Sequence, residues 1–353
     1  MAWFIMAGCL PWSTRFADTS DEPVRHLDIY PEAVPDPSTL RVLTWNIKFG
    51  GGRVDFWFDG WGDRVHMSAE EVDDHLDAVA GLIAEIDPDI VLLQEVDVHS
   101  QRSAYVDQLD TLMHAGRWPY GAYTPIWQVD FVPEEGLGPM DMGMAVLSRW
   151  PITAHTRIDL PQSEGLSPLV AAFYLHRAIQ QVTIDLGATN LTVLNNHPEA
   201  YALDGTKVAH LEAIYAQAEA APPPMIVGGD LNVIPPGSIA TRDYADEADV
   251  DDLGVNAVTY SDADMAALQP FFDAWQPETS LEAYGLDEAT QATFASHSVS
   301  GDVFWTQKLD YLFTTETFLS GDVLQDAGRG TPAISQPTMP LSDHAPVLAE
   351  VAL

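Results

Sequence analysis

Lysine is almost missing from this chain: three residues in 353, Lys48, Lys207 and Lys308. Basic residues total only 15 against 53 acidic ones, a net charge of −38. Such a surface repels polyanions at ordinary salt. Too few basic residues exist to build the face that a passive binder of nucleic acid or anionic membrane needs. Cysteine is scarcer still. The single Cys9 excludes an intramolecular disulfide and a cysteine-built zinc site. Nor does any apolar run reach the ~20 residues of a membrane-spanning helix.

The acidic bias has a second reading. It is similar to that of proteins from salt-loving organisms, and at 1 M salt the Debye length shrinks to about 3 Å. Repulsion beyond contact range then vanishes, so the charge weakens a nucleic-acid function without removing it. What the chain does hold is core material, 46% hydrophobic and 10% aromatic. No repeat, low-complexity tract or clear linker divides it. The expectation is one domain over 40–353 behind a leader or surface-hugging arm, 1–39. The segment Met1–Cys9 resembles the end of a lipoprotein signal, which would export the protein and lipidate Cys9. Its short apolar stretch and missing basic leader fit equally an ordinary N-terminus on a cytoplasmic protein.

Along the chain, Leu40–Asn46 reads as a buried strand, followed by the glycine turn 50–52 and an aromatic segment carrying Phe56, Trp57, Phe58 and Trp61. Ser68-Ala-Glu-Glu71 is a capping box, with Val72, Leu76, Val79, Ile83 and Ile86 following at helical spacing. Ile90–Leu93 is a strand apolar on both faces, as in covered sheets. A second helix is expected over 103–115 and a strand over 144–148. Three further strands are expected over 169–176, 179–186 and 191–196, the last two as a hairpin. A helix over 206–220 precedes strand 225–227. The stretch from about 235 to 265 reads as an acidic insertion loop, and 271–275 as the start of a packed element. Strands in 303–314 and 345–352 close the chain. A helix feeding a fully apolar strand predicts an α/β sandwich.

Polar groups recur where apolar strands end: Asn46, Glu95, His197, Asp230 with Asn232, Asp310, and Asp343 with His344. Each alone is explained by strand termination or capping. Together they can converge, because the ends of neighbouring strands share a crevice. Carboxylates and amides without a thiolate suit a hard divalent cation, and the histidines add acid–base capacity. Water attack on a phosphoester, assisted by a metal, is what such a set does best.

In order, Thr-Trp-Asn46, Leu-Gln-Glu95, Asn-Asn-His197, Gly-Asp230-Leu-Asn232, Leu-Asp310-Tyr and Ser-Asp343-His344 resemble the endonuclease/exonuclease/phosphatase superfamily, which includes deoxyribonuclease I. The likeness runs from about residue 40 to 352. It implies a four-layer α/β (α+β) sandwich, two mixed β-sheets flanked by helices. It also implies that Asn46 and Glu95 bind Mg²⁺ or Mn²⁺, that Asp343 binds or orients the metal, and that His344 contacts the scissile phosphate or acts as base. Asp310 is implied to fix the His344 ring, Asp230 to orient or deprotonate water, Asn232 to bind a phosphate oxygen and His197 to protonate the leaving group. The chain departs from the family pattern with Asn196 before His197 and Lys308 before Leu-Asp310. Arg102 and Arg177 are candidates for phosphate contact, with a plain ion pair as the competing role.

The expected activity is a metal-dependent phosphoester hydrolase, in particular a phosphodiesterase, acting as a monomer without an obligate protein partner. A halophilic deoxyribonuclease or endonuclease, a sphingomyelinase-like phospholipid-headgroup hydrolase, and an inactive binding protein on the same fold are the alternatives.

Overall fold

Ser68 opens helix α1 (Ala69–Ile86) with a closed capping box. Its hydroxyl accepts from the Glu71 amide, and the Glu71 carboxylate accepts from the Ser68 amide. Val72, Leu76, Val79, Ile83 and Ile86 are buried along one face, and Asp87 ends the helix in a left-handed conformation. The computed structural model describes residues 16–28, 37–57, 62–132, 136–163, 165–202, 204–241, 260–295 and 304–353. Cys9, the aromatic residues Phe58 and Trp61, and residues 242–259 of the acidic stretch lie outside it.

The strands in chain order are β1 (Thr19–Asp21), β2 (Val24–His26), β3 (Thr39–Asn46), β4 (Ile90–Asp97), β5 (Tyr120–Val132), β6 (Gly138–Ser148) and β7 (Ile152–Asp159). They continue as β8 (Ala178–Asp185), β9 (Asn190–Asn196), β10 (Met225–Asp230), β11 (Gln276–Pro277), β12 (Asp310–Thr314), β13 (Thr317–Val323) and β14 (Val347–Ala352). They form two mixed seven-stranded sheets, ordered β13-β14-β3-β4-β6-β5-β2 and β1-β7-β8-β9-β10-β12-β11. Each has one parallel pair, β3 with β4 and β9 with β10.

Alternation sends Val42, Leu92 and Val146 of one sheet against Val182, Val193, Ile226 and Leu312 of the other, all fully buried. Helices α1 and α2 (Gln108–Gly116) cover the outer face of the first sheet. Helices α3 (Thr206–Ala220) and α4 (Asp262–Ala274) cover that of the second. The result is helix, sheet, sheet, helix, as the sequence predicts. Between the sheets runs a polar chain. Gln94 donates to Asn195 (2.7 Å), Asn195 donates to Gln180 (3.0 Å), and His155 Nε2 lies 2.8 Å from the Thr124 hydroxyl.

Several elements differ from expectation. Ahead of residue 40, β1 pairs with β7 and β2 with β5, so the arm edges both sheets. Helix α2 starts at 108 rather than 103, because Ala104 and Tyr105 take positive φ and Asp107 is the cap. Residues 169–176 are not a strand: Pro168–Ala171 is a helical turn. Residues 271–275 end α4 instead of starting an element. Strands β5, β7 and β13 have no clean alternation; Pro125 and register shifts interrupt β5, and β7 is half polar. Among the described residues no helix is long and apolar enough to cross a membrane.

Candidate active site

Strands β3, β4, β9 and β10 end at one edge of the sandwich. Strand β12 begins there, because it runs antiparallel to β10 with Asp310 opposite Asp230. Strand β14 runs antiparallel to β3, which sets the preceding Asp343-His344 beside Asn46. Two glycines make this convergence possible. A Cβ on Gly229 (φ +125°) would stand 2.1 Å from the Asn196 carbonyl oxygen, and one on Gly228 2.4 Å from that of Tyr311. Only hydrogen at both positions lets β10 lie between β9 and β12.

Glu95 sits where the register of β4 against β6 shifts between Leu93 and Val96, at φ 55°. A bulge re-aims the side chain out of the sheet. The Asn46 amide, 1% exposed, ties the cluster: its Nδ2 lies 3.2 Å from Glu95 Oε1 and 3.1 Å from Asp230 Oδ2. Its Oδ1 accepts from the Lys48 backbone amide at 3.0 Å, which fixes the amide's orientation. His197 Nε2 stands 3.4 Å from Asp230 Oδ2 and 3.8 Å from Glu95 Oε1. His344 bridges the two carboxylates of the β10–β12 pair, with Nδ1 2.7 Å from Asp310 Oδ2 and Nε2 3.6 Å from Asp230 Oδ2. Asn232 (φ 54°) donates its backbone N–H to Asp230 Oδ1 and its side-chain amide to the Pro198 carbonyl, each at 3.0 Å. All eight residues implied as catalytic or metal-binding thus fall in one region, Asp343 through its sequence neighbours.

Supporting groups were less visible in the sequence. The Ser342 hydroxyl donates to the Asn46 carbonyl (2.8 Å) and accepts from the His344 amide (3.1 Å). Trp45 Nε1 donates to the His344 carbonyl (2.8 Å), and the Phe294 ring lies 4.9 Å from the imidazole. Thr293 Oγ1 accepts from the Asp310 amide. Lys48 Nζ stands 3.6 Å from Asp343 Oδ2. Ser342 and Lys48 could have been found by adjacency to the motifs; Thr293 and Phe294 carry no local signal.

Burial works on each ionisable group. It would push the His344 imidazole down, but the charges of Asp310 and Asp230 outweigh it and raise the group to about 10. Burial raises the Asp230 carboxyl, with Asp310 adding to the effect. Burial first and Asp343 next raise Glu95. His197 is held well below its ordinary range by burial, then by Arg177 and His344. His344 is therefore the charged imidazole of the pair and His197 the neutral one.

Asp230, Asp310 and His344 present ligand atoms within 4.8 Å of one another, a grouping that could hold a metal. His344, however, has Nδ1 engaged by Asp310 at 2.7 Å and only Nε2 left to offer. Glu95, with a side chain 25% exposed, has the accessible oxygens; the Asn46 amide lies 3.2 Å from it, and the Asp343 charge acts on it through space. This hard, sulfur-free donor set fits Mg²⁺ or Mn²⁺.

The two arginines separate. Arg102 is 3% exposed and forms a bidentate pair with the fully buried Asp97 (2.9 and 3.0 Å), stacked on Phe49. Its donors are directed at the fold. Arg177 donates to the His197 carbonyl at 3.2 Å and so stays beside the cluster. All three lysines are buried too: Lys48 and Lys207 are 2% exposed and Lys308 1%.

A two-sheet sandwich that gathers carboxylates, amides and histidines at one edge has the deoxyribonuclease I-like architecture. The chain belongs to the Endonuclease/Exonuclease/phosphatase family, whose profile matches residues 43–344 and whose members are hydrolases of phosphoesters. An endonuclease/exonuclease/phosphatase structure from Beutenbergia cavernae superposes with a TM-score of 0.60 at 19% identity, covering 90% of this chain and 72% of that one. A family protein from Bacteroides thetaiotaomicron gives 0.53 at 18%, covering 90% and 98%. A mannosyl-6-phosphatase from the same species gives 0.52 at 16%, covering 89% and 100%. These likenesses establish the fold. No curated protein matches the chain.

Proposed function

We propose that this chain is a divalent-metal-dependent phosphodiesterase that activates water for in-line attack on phosphorus. The supporting observation is that the Asn46 amide is within hydrogen-bond distance of both Glu95 and Asp230, joining the metal-binding side to the acid–base side. Asn46 and Glu95, with Asp343 next to them, would hold Mg²⁺ or Mn²⁺. Such an ion, when bound, withdraws charge from a phosphoryl oxygen.

The remaining chemistry falls to the chain itself. Asp230, raised by burial, is placed to accept the proton of the attacking water near neutral pH. His344, held by Asp310, presents Nε2–H to a phosphoryl oxygen, and the free hydrogen of the Asn232 amide is a second donor. His197 is neutral, which fits an N–H donor to the departing oxygen better than a stored proton.

Purified protein should hydrolyse bis-p-nitrophenyl phosphate with Mg²⁺ or Mn²⁺ and stop in EDTA. No turnover across several metals and salt levels ends the reading. Plasmid nicking that emerges only at raised salt would assign the substrate to nucleic acid.

A further inference from the structure

Asp310 and His344 come from different sheets. Asp310 opens β12 of the second sheet, and His344 stands just before β14 of the first. The sheets meet through apolar side chains, and such contact is non-directional. It does not by itself hold two polar atoms at 2.7 Å. Residues 293–295 supply directional links. In this short extended segment Phe294 pairs antiparallel with both Gln307 and His344. Towards the second sheet, the Thr293 and Phe294 amides donate to the Gln307 carbonyl at 2.7 and 2.8 Å. Thr293 Oγ1 accepts from the Leu309 amide at 2.9 Å and from the Asp310 amide at 3.1 Å. Towards the first sheet, the Thr293 carbonyl accepts from the Ala345 amide at 2.6 Å, and the Ala295 amide donates to the Asp343 carbonyl at 2.9 Å. Thr293 is fully buried. One residue thus bonds to the backbone on both sides of the Asp310–His344 contact, at Asp310 through its side chain and next to His344 through its carbonyl.

The hydroxyl is specific to this task. Its oxygen carries two acceptor lone pairs, which match the two amides. Valine has the same shape but accepts from neither, and a buried amide that loses its partner is costly. We propose that Thr293 is a positioning residue of the hydrolytic reaction, whose hydroxyl fixes the start of β12 against the His344 loop and so sets the Asp310–His344 hydrogen bond. It acts through Asp310 and not on substrate. The inference rests on the phosphodiesterase reading for the use that the reaction makes of that bond. A reacting group misplaced by about 1 Å loses on the order of 10²-fold in rate. The effect falls on turnover, because the direction of the imidazole N–H matters most once charge develops on the phosphoryl oxygen.

The test compares Thr293→Val and Thr293→Ser with Thr314→Val, which removes a buried hydroxyl at the far end of β12 that donates to the Met225 carbonyl at 2.8 Å. Hydrolysis of bis-p-nitrophenyl phosphate with Mg²⁺ gives kcat and KM. Proton NMR of protein carrying ¹⁵N-histidine gives the His344 Nδ1–H resonance, assigned by its loss in Asp310→Asn. Thr293→Val should lower kcat about 10- to 100-fold with KM within about twofold, and should shift or broaden the resonance. Thr293→Ser should keep both close to wild type, and so should Thr314→Val whatever its Tm. Wild-type kcat and resonance in Thr293→Val overturn the proposal. So does a serine variant as impaired as the valine one, or a Thr314→Val variant that reproduces the loss. If Thr293→Val does not fold, Thr293→Cys takes its place under the same criteria, since sulfur is a weak acceptor. If the wild type cleaves no diester, the phosphodiesterase reading fails on its own account, and the resonance alone decides the role of Thr293.

Discussion

His344 Nδ1 lies 2.7 Å from a fully buried oxygen of Asp310, while the opposite edge of the same ring faces Asp230 at 3.6 Å. One carboxylate therefore sets the direction in which the imidazole offers its other N–H. Asp310→Asn preserves the shape but removes the charge that selects this ring state. The expected loss in kcat is roughly 10²- to 10⁴-fold with little change in KM. Linkage gives an independent readout. A histidine raised from 6.5 to about 10 contributes stability that is complete below pH 6.5 and fades as pH rises through about 10. Denaturation midpoints across that window should decline in the wild type and flatten in Asp310→Asn.

Glu95→Gln tests the metal side. The amide keeps the volume and the Asn46 contact but lacks the charge that a hard cation needs. Mn²⁺ affinity, read by calorimetry or paramagnetic resonance, should weaken by at least about tenfold, the lower end of what outer-shell changes alone cause. Undiminished affinity would move the ion to the Asp230, Asp310 and His344 grouping.

Arg102→Ala distinguishes a fold residue from a substrate residue. Removing the guanidinium leaves Asp97 buried with, among the described residues, only the Ser103 hydroxyl as a side-chain donor. Stranding a buried charge costs about 3–5 kcal/mol. Urea denaturation should show a loss of this order. A large rise in KM with stability intact would restore Arg102 as a phosphate contact.

Acid should unfold the protein partly through the seam between the sheets. Burial lowers His155 from 6.5, so the unfolded chain binds more protons than the folded one below that pH, and stability falls as acid is added. His176, His197 and His210 are shifted the same way. Replacing His155 with Gln should make the acid limb shallower by up to one proton, about 1.4 kcal/mol per pH unit. An unchanged slope would show that His155 titrates as in the open chain.

The sequence displayed the site more plainly than the strands around it. Asn46, Glu95, Asp230 and His344 each stand at the end of an apolar run, and six short words in order carried the family likeness. Helix α1 was legible from end to end, because its cap and its periodic face agree. Strand β5 was not: Pro125 and two register shifts hide its alternation, and pairing with β6 and β2 holds it extended. The roles of the arginines could not be read from neighbours in the chain. Arg102 is decided by Asp97 and by the ring of Phe49, a contact made only once the fold closes. Tertiary electrostatics, such as the neutral state of His197, likewise depend on burial that no local pattern encodes.

The interior location of every lysine reaches into handling of the protein. Amine-directed cross-linkers, dyes and resins ordinarily react with a scatter of surface lysines, and here each ε-amine is shielded. Coupling at Lys48, Lys207 and Lys308 should therefore be slow under native conditions. Labelling that spreads to Lys48, Lys207 or Lys308 would then report opening of the fold.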